Sequence, residues 1–341
     1  MKKILFSIVA LCCTVAAGAQ NSSQIASAIL QKAEGGPIIY YGVDALKDAY
    51  NAADETGGTI TLTSGTFNSP GEIKKSVAIY GVGFEDNVYE GMQRTIISNY
   101  VTFISDTEGN VLQNAKLEGV FVNAAIYINK VSSLTIAKCQ FNGLVFNGAA
   151  VEVEGMLVRQ CYINGGVDAY NNMIDGLTIN NCYISGWVGR TIAGSQILFN
   201  HCLLTPYSSY TDNSIATYTN CIINDNGTLG ANSYAEKNIF THMDVNPSNV
   251  TSVGNYAVDE SSLFGDGVNS VGYTTARTFT LAAPDTYKGT DGTTVGLTGG
   301  DYPWYKVPSL PYVKDLNATV NGTNLDVDYK AGVGSTNPPT E

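Results

Sequence analysis

Short stretches of alternating apolar and polar residues return along the middle of the chain at nearly constant intervals. Five of them align on a cysteine: residues 134–142 (LTIAKCQFN), 156–164 (MLVRQCYIN), 177–185 (LTINNCYIS), 197–205 (ILFNHCLLT) and 216–224 (ATYTNCIIN). Consecutive cysteines, Cys139, Cys161, Cys182, Cys202 and Cys221, are 22, 21, 20 and 19 residues apart. Apolar residues stand five before, three before and two after each cysteine, as Leu177, Ile179 and Ile184 do around Cys182. A period of two marks strands with one buried face. Residues 117–123 (LEGVFVN) fit the same frame without a cysteine. The sharp bend between the two short strands of each coil is expected at Ala137, Arg159, Asn180, Asn200 and Thr219, since Asn tolerates a left-handed backbone.

A coil of about 20 residues cannot bury its apolar face alone, so the coils must stack, with strands about 4.8 Å apart. A leucine-rich repeat would need a helix in each return, and the returns are instead rich in Gly, Asn, Ser and Tyr. The pattern therefore predicts an all-β, single-stranded, right-handed parallel β-helix. A capping helix is expected at 44–53, N-capped by Asp44, with Leu46, Ala49, Tyr50 and Ala53 on one stripe. Strands follow at 57–67 (GGTITLTSGTF), 76–83 (SVAIYGVG) and 94–104.

The order of helix, GGTITLTSGTF, SVAIYGVGF, TIIS and then coils of the LTIxxCxF kind resembles pectate-lyase-like right-handed β-helix proteins over residues 43–224. Residues 291–313 are similar to the closing segment of secreted bacterial members. The resemblance implies the fold and leaves the chemistry open, because that fold carries lyases, hydrolases, adhesins and inert scaffolds. The expected organisation is a signal peptide at 1–19, a lead-in at 20–42, the β-helix at 43–240, an irregular wrap and cap at 241–313, short terminal strands at 314–330 and a disordered tail at 331–341. Trp304, Tyr305 and the prolines Pro303, Pro308 and Pro311 suggest that the wrap covers the C-terminal end.

Residues 1–20 carry a basic start (Lys2, Lys3), an apolar run and Ala17-Gly18-Ala19, a signal peptide cleaved after Ala19. Secretion, to the exterior, the outer envelope or the periplasm, is expected, with no membrane span. The net charge of −12 becomes −14 once Lys2 and Lys3 leave with the leader. That charge argues against nucleic acid and anionic membranes as partners.

The candidate chemistry is thin. The cysteines have no CxxC pairing and only His201 and His242 accompany them, so no metal site is expected. They read as buried free thiols filling a small inward slot, since neighbouring Cβ vectors run parallel and suit a disulfide poorly. No cofactor is expected; calcium would be the exception, but no clear motif supports it. His201 reads as a solvated outward residue, in a column with Lys138, Gln160, Asn181 and Asn220.

Asp168, Arg190 and Asp212 are spaced to meet in adjacent coils and are the weak catalytic candidates. Trp187, Tyr207, Tyr183, Tyr162 and Tyr210 form the candidate ligand-binding set, because sugar C–H faces pack on rings. Tyr170 lies in a return beside them. The first reading is a monomeric, non-catalytic scaffold that meets a polysaccharide or cell-surface glycan through its outer face. The alternatives are a polysaccharide lyase or glycoside hydrolase with an atypical site, and a structural or adhesive surface protein.

Overall fold

The computed structural model describes residues 26–86, 92–106, 108–148, 151–205, 215–224, 229–242, 244–268, 270–309, 311–321 and 324–333. The chain winds into a parallel β-solenoid of about nine turns, almost wholly β. A coil such as the one at 177–189 places Leu177–Asn180 in a first sheet of twelve strands and Tyr183–Ile184 in a second of ten. Trp187–Gly189 then joins a third sheet of six. Each strand pairs in parallel register with its counterpart one coil away, for example Ile179 with Val158 and Phe199. The first sheet begins differently: Ser27–Gln31 pairs antiparallel with Ile38–Tyr41 and with Gly58–Leu62.

The single α-helix among the described residues, Ala45–Ala52, turns Ala45, Leu46, Ala49 and Tyr50 into the core. Asp44 precedes it but does not cap it. Its backbone is already helical, and its carboxylate accepts from Asn68 Nδ2 at 2.8 Å instead.

The inward positions are as the alternation predicts. Leu134, Met156, Leu177, Ile197 and Ala216 are all buried, and all five cysteines are 0 % exposed free thiols. Burial raises the Cys139, Cys182 and Cys221 thiols well above their usual range. The column also has a hydrogen-bonding task. The backbone N–H of Cys139, Cys161 and Cys202 points to the Sγ of Cys161, Cys182 and Cys221 in the next coil, at 3.4–3.5 Å. Where the cysteines stop, asparagines continue: Cys221 N–H donates to Asn238 Oδ1 at 2.8 Å, and Asn238 N–H to Asn255 Oδ1 at 2.9 Å.

The bend falls one residue later than expected. The left-handed positions are Lys138, Gln160, Asn181, His201 and Asn220, with φ between 49° and 57°. Their side chains do not face solvent. His201, Lys138, Gln160 and Asn181 are 0 % exposed. The reason lies far along the chain, since residues 289–309 return along the bend row toward the first coils as a strap.

Each bend in turn grips the strap. Asn220 Oδ1 accepts from Thr290 N–H at 2.8 Å, and Asn181 Nδ2 donates to the carbonyls of Leu297 and Gly299. Gln160 Nε2 donates to Pro303 O at 2.6 Å and Lys138 Nζ to Val307 O at 2.5 Å. Last, Ser309 N–H donates to Glu118 Oε1 at 2.8 Å. The wrap therefore lies along the flank of the solenoid, and not over its last coil. A left-handed Lys, Gln or His costs about 1 kcal/mol or more. These bonds hold the bends in that conformation.

Residues 263–304 build a second core against the outer face of the second sheet. Tyr183, Leu203, Ile222 and Ile239 meet Leu263, Phe264, Val271, Phe279, Leu281, Val295, Leu297 and Trp304 there. Glu85 pins this layer, accepting from Tyr273 Oη and pairing with Lys306 Nζ at 2.5 Å. Beyond the strap, Pro311–Asn321 and Asn324–Val333 pair antiparallel.

Candidate functional site

Among the described residues the returning chain packs on the bend row and on the second sheet, and the third sheet, around residues 166–190, is a separate face. Its register sets Thr102, Tyr127, Val145, Asp168 and Gly189 in one outward column. A parallel column ends at Gly166 and Trp187, and one residue before its strands it carries Tyr100, Ala125 and Gly143. Tyr100 is 47 % exposed and meets Tyr127 edge to face, with centroids 5.8 Å apart.

Asp168 and Arg190 meet across adjacent coils, as their spacing requires. Arg190 Nε donates to Asp168 Oδ1 at 2.8 Å and Nη2 donates to Oδ2, a two-point pair. Asp168 Oδ1 also accepts from Tyr170 N–H at 2.9 Å. Both carboxylate oxygens are thus engaged, which leaves Asp168 poorly placed to act as a base. The same pairing, with the Asp168 hydrogen bond foremost, raises the Arg190 guanidinium further above its usual value.

The guanidinium lies 4.1 Å from the ring of Tyr170 and 5.5 Å from that of Trp187. Tyr170, Asn171 and Arg190 all adopt left-handed backbone, at φ 53°, 60° and 53°. Asn tolerates this conformation, but Tyr170 and Arg190 store strain in it, and such strain gathers where geometry serves a function. Tyr170, Met173 and Ile192 are exposed at 46, 55 and 37 %, so the cluster presents an apolar rim. Rings beside a fixed planar donor, with charge already neutralised, are equipped to hold a sugar: the ring faces take C–H groups and the guanidinium edge takes hydroxyls.

Of the other candidates, Tyr183 and Tyr162 do not join this cluster. Tyr183 is 2 % exposed and its hydroxyl donates to Val271 O at 3.0 Å. Tyr162 stacks on Tyr273 at 4.2 Å. Both point away from the solenoid interior, but residues 263–304 pack on them: Tyr183 is buried and Tyr162 is half-buried, so neither is the open ring that the outward spacing suggested. Tyr207, Tyr210 and Asp212 lie outside the described residues, and with them the expected stacking of Trp187 on Tyr207. Among the described residues no group of three or more His, Cys, Asp or Glu side chains is arranged to hold a metal. None of their helices is long and apolar enough to cross a membrane.

Sequence reasoning missed Tyr100 and Tyr127, which share the register columns of Trp187 and Asp168 but lie in coils without a cysteine, and Met173 and Ile192, which stand in the variable returns. The structure also brings His201 to Asp291, 90 residues later, which spacing could not reveal. No family model, curated protein or solved structure matches the chain.

Proposed function

We propose that this protein is a non-catalytic scaffold of the bacterial exterior or envelope that binds glycan on the outer face of its third sheet. The carrying observation is the Arg190 guanidinium, fixed at two points by Asp168 and flanked by the rings of Tyr170 and Trp187. The neutralised charge favours neutral sugars over polyanionic ones. The leader at 1–19 supports secretion, and the order of elements supports kinship with the pectate-lyase-like β-helix proteins.

The test is a glycan array and calorimetry with the secreted chain and a Tyr170→Ala, Trp187→Ala double variant, each checked for unchanged thermal unfolding. Stacking contacts of this kind contribute about 0.5–1.5 kcal/mol each, so a loss of affinity of about fivefold or more is expected. Equal binding by both proteins would remove the site from this reading. Release of new reducing or unsaturated ends from a polysaccharide panel would replace it with catalysis.

A further inference from the structure

Among the bends that hold the strap, His201 stands apart because both its ring nitrogens meet acceptors. Nδ1 lies 3.2 Å from the carbonyl oxygen of Gly296, and Nε2 lies 3.0 Å from Asp291 Oδ2. With Asp291 ionised neither oxygen can donate, so both contacts are hydrogen bonds only when both nitrogens carry protons. The ring is 0 % exposed, where an unmade bond is costly. It cannot swing away easily: a Cβ on Gly300 would stand 2.6 Å from His201 Cδ2, so strap backbone presses on the ring.

A second partner is in place for the neutral ring. Asn220 Nδ2 lies 3.3 Å from Nε2, and as a donor it suits that nitrogen only after the proton has left. The same amide also reaches Asn200 Oδ1 at 2.9 Å and Thr290 Oγ1 at 3.1 Å, three contacts for two hydrogens. One of them must yield when the ring changes state.

The surrounding charges are few. Asp291 faces the ring from the strap. Asp301 follows Gly300 and is exposed, and the Cys202 thiol lies buried on the same coil. The neighbouring bends present the uncharged Asn181 and Asn220. Partial burial pulls the Asp291 carboxyl upward, but hydrogen bonds from Thr293 and the facing His201 outweigh it and hold the carboxyl below its usual range.

We propose that His201 and Asp291 form a proton-operated latch on the strap. With the imidazole protonated, Asp291 and Gly296 are both held and residues 289–300 are closed. Loss of the proton hands Nε2 to Asn220, frees Asp291 and loosens this stretch, while Asn181, Gln160 and Lys138 keep the rest in place. Closure is also lost at the acid end, when the pH falls through the depressed Asp291 value. The closed state therefore needs both the proton on His201 and the charge on Asp291.

Hydrogen exchange of the Gly296 and Gly300 amides reads the latch, since their N–H groups donate to Asn220 O and Thr293 Oγ1. Emission from Trp304 in a Trp187→Phe protein gives a second readout. Protection factors should fall about tenfold or more, the worth of one hydrogen bond to a charged group, as the pH is raised. His201→Gln and Asp291→Asn should remove the transition, and His242→Asn should leave it, because that exposed ring pairs with Glu260 instead. Asp291 is 39 % exposed, so its variant remains informative even if His201→Gln folds poorly. Protection that ignores pH in the parent, or a transition that survives in Asp291→Asn, would overturn the proposal.

Discussion

Lys138 shows how one residue can be used against its own preference. Its ammonium sits 0 % exposed in a left-handed bend, donating to Val307 O and lying 4.9 Å from the ring of Tyr305. Burial lowers its pKa from 10.5 to about 8. Below pH 8 the folded state carries a charge that water would hold better. Between pH 8 and 10.5 the unfolded chain binds more protons than the folded one, so stability contributed by this group rises with pH. Replacing it should reveal the sign. Met cannot make the Val307 bond, but the stability difference between Lys138→Met and the parent is expected to shift in the parent's favour by ~1–3 kcal/mol between pH 7 and pH 10.5. Parallel urea titrations of the two proteins measure this, and comparing them cancels the titrating tyrosines. A difference that shifts in the variant's favour as pH rises would refute the account.

At the scale of an element, the cysteine column is a ladder that both fills and bonds. A thiol is small enough for the slot and accepts weakly from the previous coil's N–H. Cys182→Ala should leave a small cavity and strand the Cys161 N–H, at a cost of ~1–3 kcal/mol, read from the shift in urea midpoint. Asn238→Leu should cost at least as much, because it removes the acceptor of Cys221 N–H and the donor to Tyr218 O. A thiol reagent should modify none of Cys139, Cys161, Cys182, Cys202 and Cys221 in the folded chain. In denaturant without reductant it should modify all five, and a smaller number would mean a disulfide.

The whole molecule is a solenoid with a second layer bound to its flank. Far-separated chain segments meet there: Glu118 with Ser309, Glu85 with Lys306, and His201 with Asp291. Truncation after Val258 should strip the outer face of the second sheet and expose Tyr183, Leu203, Ile222 and Ile239. The expected result is retained β circular dichroism together with strong binding of a hydrophobic dye and self-association on gel filtration. A truncated chain that stays monomeric and dye-negative would show that the layer is not needed to cover this face.

Period, buried face and parallel stacking were legible in the residues from Leu134 to Asn224, because a two-residue alternation repeated every coil admits few other packings. The meeting of Asp168 with Arg190 was legible for the same reason, being a matter of register between adjacent coils. What surrounds an outward residue was not. Tyr183 and Tyr170 both point away from the solenoid interior, yet one lies under Val271 and Phe279 while the other stands in solvent. Local spacing decides which way a side chain points. Only the path of the returning chain decides whether water, a ligand or residues 263–309 will meet it there, and that path depends on contacts 90 to 221 residues apart that carry no periodic trace.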